Sequence, residues 1–443
     1  MKRIAMISFH TCPLAALGGK QTGGMNVYVR EIGRQLGNQG IEVDVFTRSQ
    51  SPKLKKVVPL GNRARVIHIP AGPTAPCEKD RVWLHLPQFC RGIIDFVRAE
   101  RIHYDIIHSH YWLSGWAGLS LHADLEAPLV HMFHTLAVMK NLVAKSEEDK
   151  ETALRIFLEK KVMDLSHLII ASSPADRAHM VWHYGADPNR IDVVPCGVDL
   201  DLFRPLPQDT SKNHLGLSDH RVILFVGRIQ PIKGLDSLLR ALAILMKRSR
   251  ISPEDLRLLI IGGDLDNGGN PANGEEKKLR GLTSELGLDS MVTFLGAQPQ
   301  HALPYFYSAA EVSVLPSRYE SFGMVALESM ACGTPVIASR VGGLNHTVRD
   351  GQTGYLIPEG NALVLADKID LLLHNRSLRS LMGRQGAHSA RKYSWKNIAQ
   401  QVISLYRRVL SQKNPRVSNL PPFSPVITGE EIRSCSGSQL CGI

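Results

Sequence analysis

The chain has 443 residues, of which 44% are hydrophobic and 21% charged, and its formal net charge is +11 at pH 7. This composition is typical of a soluble globular enzyme and excludes a disordered or fibrous protein. The length predicts two domains of about 200 residues each. The positive charge suits anionic small molecules, nucleic acid or an anionic membrane. Because no recognisable nucleic-acid motif accompanies it, we expect small anionic partners, no nucleic acid and at most weak association with a membrane surface.

Two further features bear on the compartment. No apolar run approaches the roughly 20 residues that span a bilayer, and residues 1–9 are typical of a first buried strand rather than of a signal peptide. Seven cysteines stand at irregular spacing with no C-x-x-C pair, which indicates a reducing compartment and no structural zinc site. We therefore expect a cytoplasmic protein. The oligomeric state stays open, and a homodimer is compatible with the sequence.

Apolar strand-like runs alternate with helical patterns along the chain. The predicted strands of the first half are Ile4–Ser8, Ile41–Phe46, Val66–Ile69, Asp105–His108, Leu129–Phe133 and Leu168–Ala171. Those of the second half are Val222–Val226, Leu258–Ile261, Val292–Leu295, Val312–Leu315 and Val336–Ala338. This alternation predicts an α/β fold with two doubly wound, Rossmann-like domains built on parallel sheets.

Turn formers near residues 194–205 predict the domain boundary, so we expect one domain over 1–200 and a second over 201–388. The segment 389–412 contains a stretch with the apolar period of an amphipathic helix. Beyond it, residues 413–443 lose this periodicity and are rich in Pro, Ser and Gly, which predicts a disordered tail.

The loop after the first predicted strand contains His10, and Gly23 and Gly24 precede a helical pattern that includes Asn26. Two glycines at the start of a helix let a ligand approach its N-terminus closely. The segment does not match the G-x-G-x-x-G fingerprint, which disfavours a dinucleotide-dependent dehydrogenase. On this evidence alone, incidental glycines in a flexible loop are the simpler interpretation.

Histidines lie at the carboxyl ends of two strand-like runs, with His108 and His110 at one and His131 and His134 at the next. A metal site is disfavoured because His108 and His110 alternate along an extended chain and no acidic third ligand accompanies them. A histidine at a strand end is more often structural than functional.

Arg228 and Lys233 follow the buried strand Val222–Val226 and precede an amphipathic helix. Ligands of open α/β sheets bind at the carboxyl ends of strands. An arginine fork and a lysine point charge placed there suit a diphosphate.

Glu320 and Glu328 flank a second strand-to-helix turn. Between them Ser321, Phe322 and Gly323 offer backbone N–H groups to phosphate oxygens at a helix start. We expect Glu328 about two turns into the helix, where a carboxylate among apolar neighbours needs a polar partner. Two carboxylates beside a phosphate site can accept from the hydroxyls of a sugar nucleotide.

Taken together, these blocks resemble the retaining glycosyltransferases of family 4, which have the GT-B fold, over roughly residues 1–410. The resemblance implies an active site in the cleft between the domains and a terminal helix that crosses back to the first domain. It places Arg228 and Lys233 on the donor diphosphate, Glu320 on the donor sugar and Glu328 on the ribose.

The first half is most similar to the inositol-phosphate glycosyltransferases of the mycothiol pathway, with sucrose-phosphate synthases as close relatives. Matching segments include Gly23–Tyr28, His108–Gly115 and His134–Thr135. This resemblance assigns the acceptor to the following residues: His10, Asn26, Lys79, Tyr111, Thr135 and Arg155. It assigns the donor to the following: Gly23, Gly24, Arg228, Lys233, Gln298, Glu320, Ser321, Phe322, Gly323 and Glu328.

The resemblance implies catalysis by His134, Arg228, Lys233 and Glu320. The expected function is retaining transfer of a hexosyl group from a nucleotide sugar, UDP-GlcNAc or UDP-glucose, to a phosphorylated acceptor such as inositol phosphate. No cofactor and no metal is expected, because the two cations can neutralise the leaving diphosphate. Transfer of glucose to fructose 6-phosphate is the alternative, and a nucleotide-sugar-binding protein without transfer activity is the alternative from another class.

Overall fold

The structure is a computed structural model that describes residues 1–15, 22–77, 81–248, 251–263 and 274–412. Two predictions, the acceptor contact of Lys79 and the disordered tail at 413–443, lie outside these residues.

Each half of the chain builds one sheet. The first sheet comprises β1 Arg3–Ile7, β2 Glu42–Arg48, β3 Val57–Gly61, β4 Ala64–Ile69, β5 Ile106–His110, β6 Leu129–Met132, β7 Leu168–Ala171 and β8 Ile191–Val193. The second comprises β9 Arg221–Val226, β10 Leu256–Ile261, β11 Val292–Phe294, β12 Val312–Leu315, β13 Val336–Ser339 and β14 Gly354–Ile357.

The strand orders are β3-β4-β2-β1-β5-β6-β7-β8 and β11-β10-β9-β12-β13-β14. All neighbours are parallel except β3 and β4, which form an antiparallel hairpin. In both sheets the chain moves first to one side of the opening strand and then to the other, which is the doubly wound topology. The predicted α/β class is thereby confirmed, although β3, β8 and β14 were missing from the predicted strands.

Helices cover both sheets. The first domain carries α1 Gly24–Asn38, α2 Leu86–Glu100, α3 Trp112–Asp124, α4 Ala137–Leu142, α5 Ala153–Leu165 and α6 Pro174–Tyr184. The rest of the chain carries α7 Gln208–Leu215, α8 Leu235–Arg248, α9 Gly274–Glu285, α10 Leu303–Ala309, α11 Met324–Ala331, α12 Leu344–Thr347, α13 Ala362–His374, α14 Arg376–Ala390 and α15 Trp395–Ser411.

The central strands are buried on both faces, as parallel sheets covered by helices require. Ile4, Ala5, Met6 and Ile7 of β1 are all fully buried. Their continuous apolar sequence therefore reflects two-sided burial rather than an alternating half-exposed strand.

The terminal helix α15 returns to the first domain. The Tyr406 hydroxyl lies 2.7 Å from Nδ1 of His108 on β5, and the Trp395 ring packs edge-on against Tyr28 of α1 with 5.7 Å between ring centroids. A parallel bridge also pairs Val198 with Ser394. The two segments that join the domains therefore lie side by side.

Candidate active site between the domains

A cavity of about 430 Å³ lies between the two domains. It opens where β1 and β5 end in one sheet and β9 and β12 end in the other, the points at which each strand order reverses and where open α/β sheets bind ligands. The predicted residues that line it are His10, Gly23, Gly24, Asn26, Tyr111, His134, Thr135, Arg228, Lys233, Gln298, Glu320, Ser321, Phe322, Gly323 and Glu328. Among the described residues, Arg155 is the one predicted site residue that does not line it.

The two predicted diphosphate cations follow β9. Lys233 ends a short 3₁₀ turn, and the left-handed residue after it, Gly234 (φ 67°), must be glycine because a Cβ there would lie 2.0 Å from the Pro316 carbonyl oxygen. The Lys233 ammonium pairs with the Glu320 carboxylate. Burial lowers the pKa of Arg228, an effect that Glu320 opposes. Arg228 and Lys233 therefore place two positive charges in the lining of the cavity, and Glu320 places one negative charge beside Lys233.

The loop from Glu320 to Gly323 leads into α11. Gly323 caps the helix with φ 87°, and a Cβ there would lie 2.5 Å from Cδ2 of Leu344. The backbone N–H groups of Ser321, Phe322 and Gly323 donate to no acceptor within the described part of the chain. They therefore remain available to anionic oxygens in the cavity, as predicted for a helix start.

Glu328 is the fifth residue of α11. It therefore lies a little over one turn into the helix, and the predicted two turns were wrong because five residues at about 3.6 residues per turn make less than one and a half turns. The required polar partner is the Tyr307 hydroxyl, which donates to Oε2 at 2.9 Å. Burial raises the pKa of Glu328 to about 7, and this hydrogen bond partly offsets the rise.

The first-domain loop is fixed by Asn26. Its amide nitrogen donates to Thr11 Oγ1 and to the Cys12 carbonyl, both at 2.8 Å, and its Oδ1 accepts from the Gly23 N–H at 3.0 Å. Asn26 therefore holds the turn in front of α1, and its predicted acceptor contact stays a prediction. The start of α1 lies close to the second domain, since a Cβ on Gly24 would lie 3.2 Å from the Met324 sulfur.

Tyr111 and His134 have positive φ values of 75° and 63° at the ends of β5 and β6. Such a conformation costs about 1–3 kcal/mol per residue and is typical of functional sites. His134 Nε2 lies 3.1 Å from Nδ1 of His110. Burial lowers the pKa of His134 to about 3, and burial together with His134 lowers that of His108 to about 3. These rings are therefore neutral at physiological pH.

Arg155 lies behind the cavity wall, 1% exposed. Its guanidinium donates to the Tyr111 hydroxyl at 3.0 Å and to Thr135 Oγ1 at 3.1 Å. Burial alone would lower the pKa of Arg155, but Tyr111, Glu159 and Glu151 raise it above its ordinary value. The permanent cation thus holds Tyr111 and Thr135 in place, and direct contact with an acceptor stays a prediction.

Sequence reasoning missed several residues in and around this cavity, among them Lys140, Ser172 and Ser173. Lys140 of α4 lines the cavity. Ser172 and Ser173, from the turn before α6, donate through their hydroxyls to the Ser321 carbonyl at 3.1 and 3.0 Å. These bonds join the first domain to the loop beside Glu320. No motif or spacing in the sequence marks them, because the contact exists only once the domains face each other.

Two polar contacts also bridge the rims of the cleft. Arg30 of α1 donates to Gln300 Oε1 at 2.6 Å, and Lys145 pairs with Asp236 of α8 at 2.9 Å. Within the described ranges, no three His, Cys, Asp or Glu side chains lie together as metal ligands would. Within the same ranges, no helix is both long enough and apolar enough to cross a bilayer.

Comparison with known proteins shows that each half of the chain matches a family model of glycosyltransferases. The model of "Glycosyltransferase Family 4" matches residues 22–202, and that of "Glycosyl transferases group 1" matches residues 207–389. The D-inositol 3-phosphate glycosyltransferase of Corynebacterium efficiens is 40% identical over 408 residues, which covers 91% of this chain and 95% of that relative. The chain belongs to glycosyltransferase family 4.

Other relatives of this glycosyltransferase agree. The D-inositol 3-phosphate glycosyltransferase of Acidothermus cellulolyticus is 39% identical, over 93% of this chain and 91% of that relative. The structure of sucrose-phosphate synthase from Thermosynechococcus elongatus superposes with a TM-score of 0.84 at 34% identity, over 93% of this chain and all of that one. The predicted GT-B fold and glycosyltransferase activity are thereby confirmed.

Proposed function

We propose that this glycosyltransferase moves a hexosyl group from UDP-GlcNAc or UDP-glucose to a hydroxyl of inositol phosphate, with retention of anomeric configuration. The observation that carries the proposal is a cleft in which Arg228, Lys233 and Glu320 of one domain face Tyr111 and Thr135 of the other. The names of the relatives in Corynebacterium and Acidothermus support the choice of acceptor.

The donor diphosphate binds Arg228, Lys233 and the N–H groups of Ser321 to Gly323. Because Lys233 is paired with Glu320 in the structure, the diphosphate displaces that carboxylate, which then accepts from hydroxyls of the donor sugar. Negative charge grows on the diphosphate as the glycosidic bond breaks, so both cations stabilise the transition state more than the bound donor. No metal is needed for this neutralisation.

The acceptor hydroxyl approaches from the first domain, on the face of the sugar from which the diphosphate leaves. A leaving phosphate oxygen takes its proton, because neutral His134 is a poor base at a pKa of about 3. His134 then serves to position the donor sugar. Closure of the domains excludes water from the reacting groups.

The test is release of UDP from UDP-GlcNAc and from UDP-glucose, each with inositol 3-phosphate, fructose 6-phosphate or no acceptor. Release that depends on inositol 3-phosphate, with an unchanged anomeric configuration in the product by NMR, supports the proposal. Release that depends on fructose 6-phosphate favours the second candidate, transfer as in sucrose-phosphate synthase, which the TM-score of 0.84 supports. UDP-sugar binding without release from any pair indicates a binding protein.

A further inference from the structure

The terminal helix α15 places a hydroxyl group in the core of the first domain. The buried face of this helix consists otherwise of apolar side chains and one indole. Tyr406 is fully buried on the same face, and its hydroxyl oxygen lies 2.7 Å from Nδ1 of His108. Because a phenylalanine would fill the same space, the hydroxyl contributes this hydrogen bond rather than packing.

Three histidine rings lead from Tyr406 to the cleft. The ring centroids of His108 and His110, both on β5, are 4.1 Å apart, and Nδ1 of His110 lies 3.1 Å from Nε2 of His134. His108 and His110 are fully buried, whereas His134 lines the cavity. A continuous series of contacts therefore connects α15 with the active site.

The surroundings of these rings indicate where their protons lie. Burial lowers the pKa of His110 and of His134 below the ordinary value, so each ring is neutral and carries one proton. Nε2 of His110 is buried and has no hydrogen-bond partner among the described residues. Because a buried N–H without an acceptor is rarer than a lone pair without a donor, His110 carries its proton on Nδ1 and donates to Nε2 of His134. The proton of His134 then lies on Nδ1, from which it can be donated to a ligand.

We propose that Tyr406 is a positioning residue for glycosyl transfer, which holds the His134 ring in one orientation through His108 and His110. The proposal rests on the proposed function, in which His134 positions the donor sugar. The bond from Tyr406 fixes the His108 ring, and packing against this ring fixes that of His110. The bond that one nitrogen of a histidine makes decides which nitrogen is protonated, so His110 fixes the tautomer of His134.

A second tyrosine of the same cluster provides a matched control. Tyr28 of α1 is also fully buried, and its ring centroid lies 5.6 Å from that of His110 and 5.3 Å from that of His134. The Tyr28 hydroxyl has no hydrogen-bond partner within the part of the chain that the structure describes. Tyr406→Phe and Tyr28→Phe therefore each remove one buried hydroxyl beside the histidines, but the first breaks a hydrogen bond to His108 and the second breaks none that the structure describes.

Tyr406→Phe should lower kcat for UDP release about three- to tenfold, the effect of losing one buried hydrogen bond. The KM values for both substrates should change less than about twofold, because Tyr406 lies outside the cavity lining. Tyr28→Phe should keep kcat within about twofold of wild type. In a His134→Ala background, the effect of Tyr406→Phe on kcat should disappear, because the two residues act as one unit. Equal effects of Tyr406→Phe in the presence and absence of His134 would overturn the proposal.

A spectroscopic measurement separates this inference from the proposed function. In protein with isotopically labelled histidine, NMR distinguishes the two neutral tautomers of a ring, and the His134 signals are those that His134→Ala removes. Wild type and Tyr28→Phe should show His134 as the Nδ1–H tautomer alone, and Tyr406→Phe should show a mixture of both tautomers. Should Tyr406→Phe not fold, combining it with His108→Phe replaces both partners of the bond by apolar rings, leaves neither of them unpaired, and should give the same mixture.

A mixture of tautomers supports the proposal even if kcat is unchanged, a result that would reject the proposed role of His134 but not its positioning by Tyr406. A single His134 tautomer in the folded Tyr406→Phe protein overturns the proposal, whatever the transfer assay shows. A lower kcat that accompanies a single tautomer would mean that Tyr406 acts on turnover by another route.

Discussion

The hydroxyl of Tyr307 donates a hydrogen bond of 2.9 Å to Oε2 of Glu328, and both residues are buried on neighbouring helices. Burial raises the pKa of Glu328 to about 7, while the bond from Tyr307 holds it from rising further. The carboxyl is therefore poised between its charged and neutral forms near physiological pH. Only the charged form offers all its oxygen lone pairs to hydroxyl donors, so the predicted contact of Glu328 with the donor ribose leads us to expect that donor binding depends on pH.

Tyr307→Phe should raise the pKa of Glu328. Without the hydroxyl, the pKa of Glu328 rises above 7, so more of the carboxyl is neutral at pH 7 and the KM for the UDP-sugar increases. A profile of that KM from pH 6 to pH 9 should show its midpoint displaced to higher pH, with recovery in alkaline solution. Tyr305→Phe, on the same helix and outside the cavity lining, should keep the wild-type midpoint. Identical midpoints in the two variants would contradict the proposed role of the bond.

Glu328→Gln should change how stability depends on pH. The folded pKa of about 7 exceeds the ordinary 4.5, so the folded protein binds more protons than the unfolded chain between these values. The contribution of Glu328 is then fully present below pH 4.5 and lost as pH rises through 7, on the order of 3 kcal/mol in total. From pH 5 to pH 8, the free energy of unfolding measured with urea should fall more for the wild type than for Glu328→Gln. If the difference in free energy of unfolding between wild type and variant is the same at both pH values, Glu328 ionises at its ordinary pKa.

Lys233→Ala should lower kcat by about 10²–10³-fold, the usual loss when one charge-stabilising donor is removed from a transition state. The fold should persist, because Lys233 is part-exposed and its pairing with Glu320 lies in the cleft. Lys247→Ala, at the exposed end of α8, is the control for loss of a positive charge from the same domain. UDP release close to the wild-type rate in Lys233→Ala would reject the assigned role.

Ser172→Ala should weaken the contact between the domains. The Ser172 hydroxyl donates to the Ser321 carbonyl, and the same hydroxyl also bonds to buried Asp176 at 3.1 Å. Its loss leaves the loop beside Glu320 less firmly held, so kcat should fall about three- to tenfold while the free energy of unfolding falls by about 1 kcal/mol. Ser120→Ala, in α3 and outside the cavity lining, serves as the comparison. Equal kcat in the two variants would show that the Ser172 hydroxyl does not contribute to turnover.

Gly197→Ala should destabilise the link between the domains. A Cβ at Gly197 would lie 2.4 Å from Cδ2 of Trp395, so the indole ring of α15 must move, at a cost of about 1–3 kcal/mol. Gly281→Ala provides the opposite case, because Gly281 is an exposed position of α9 with open space around it. That change should stabilise the protein by about 0.5–1 kcal/mol. Thermal unfolding of both variants tests the expected loss of stability in Gly197→Ala and the expected gain in Gly281→Ala.

The sheet architecture could be predicted because its central strands are continuous apolar runs flanked by turn formers. The strands that were missed have weaker sequences. Pro59 and Gly61 disfavour a strand in β3, which nevertheless pairs with β4 at the edge of the sheet. Gly354 opens β14, and β8 is three residues long and partly exposed. For these edge strands, tertiary pairing outweighs local propensity.

The second-domain part of the site could be predicted because its residues stand in short segments around Arg228 and Glu320. The first-domain part depended on resemblance, since His134 and Tyr111 differ from other strand-end residues only in their backbone conformation. Lys140 was missed because nothing in the sequence shows that α4 and α5 lie beside the cleft. The same limit applies to Arg155, whose burial behind Tyr111 follows from packing alone.

Val198 and Ser394 pair where the chain leaves the first domain and where it returns. Two covalent crossings at one place allow the domains to rotate about a line through this pair. They oppose sliding and twisting, which would have to stretch one crossing against the other. We therefore expect the cleft to open mainly by rotation about this pair, a motion that returns its two walls to the same register at each closure.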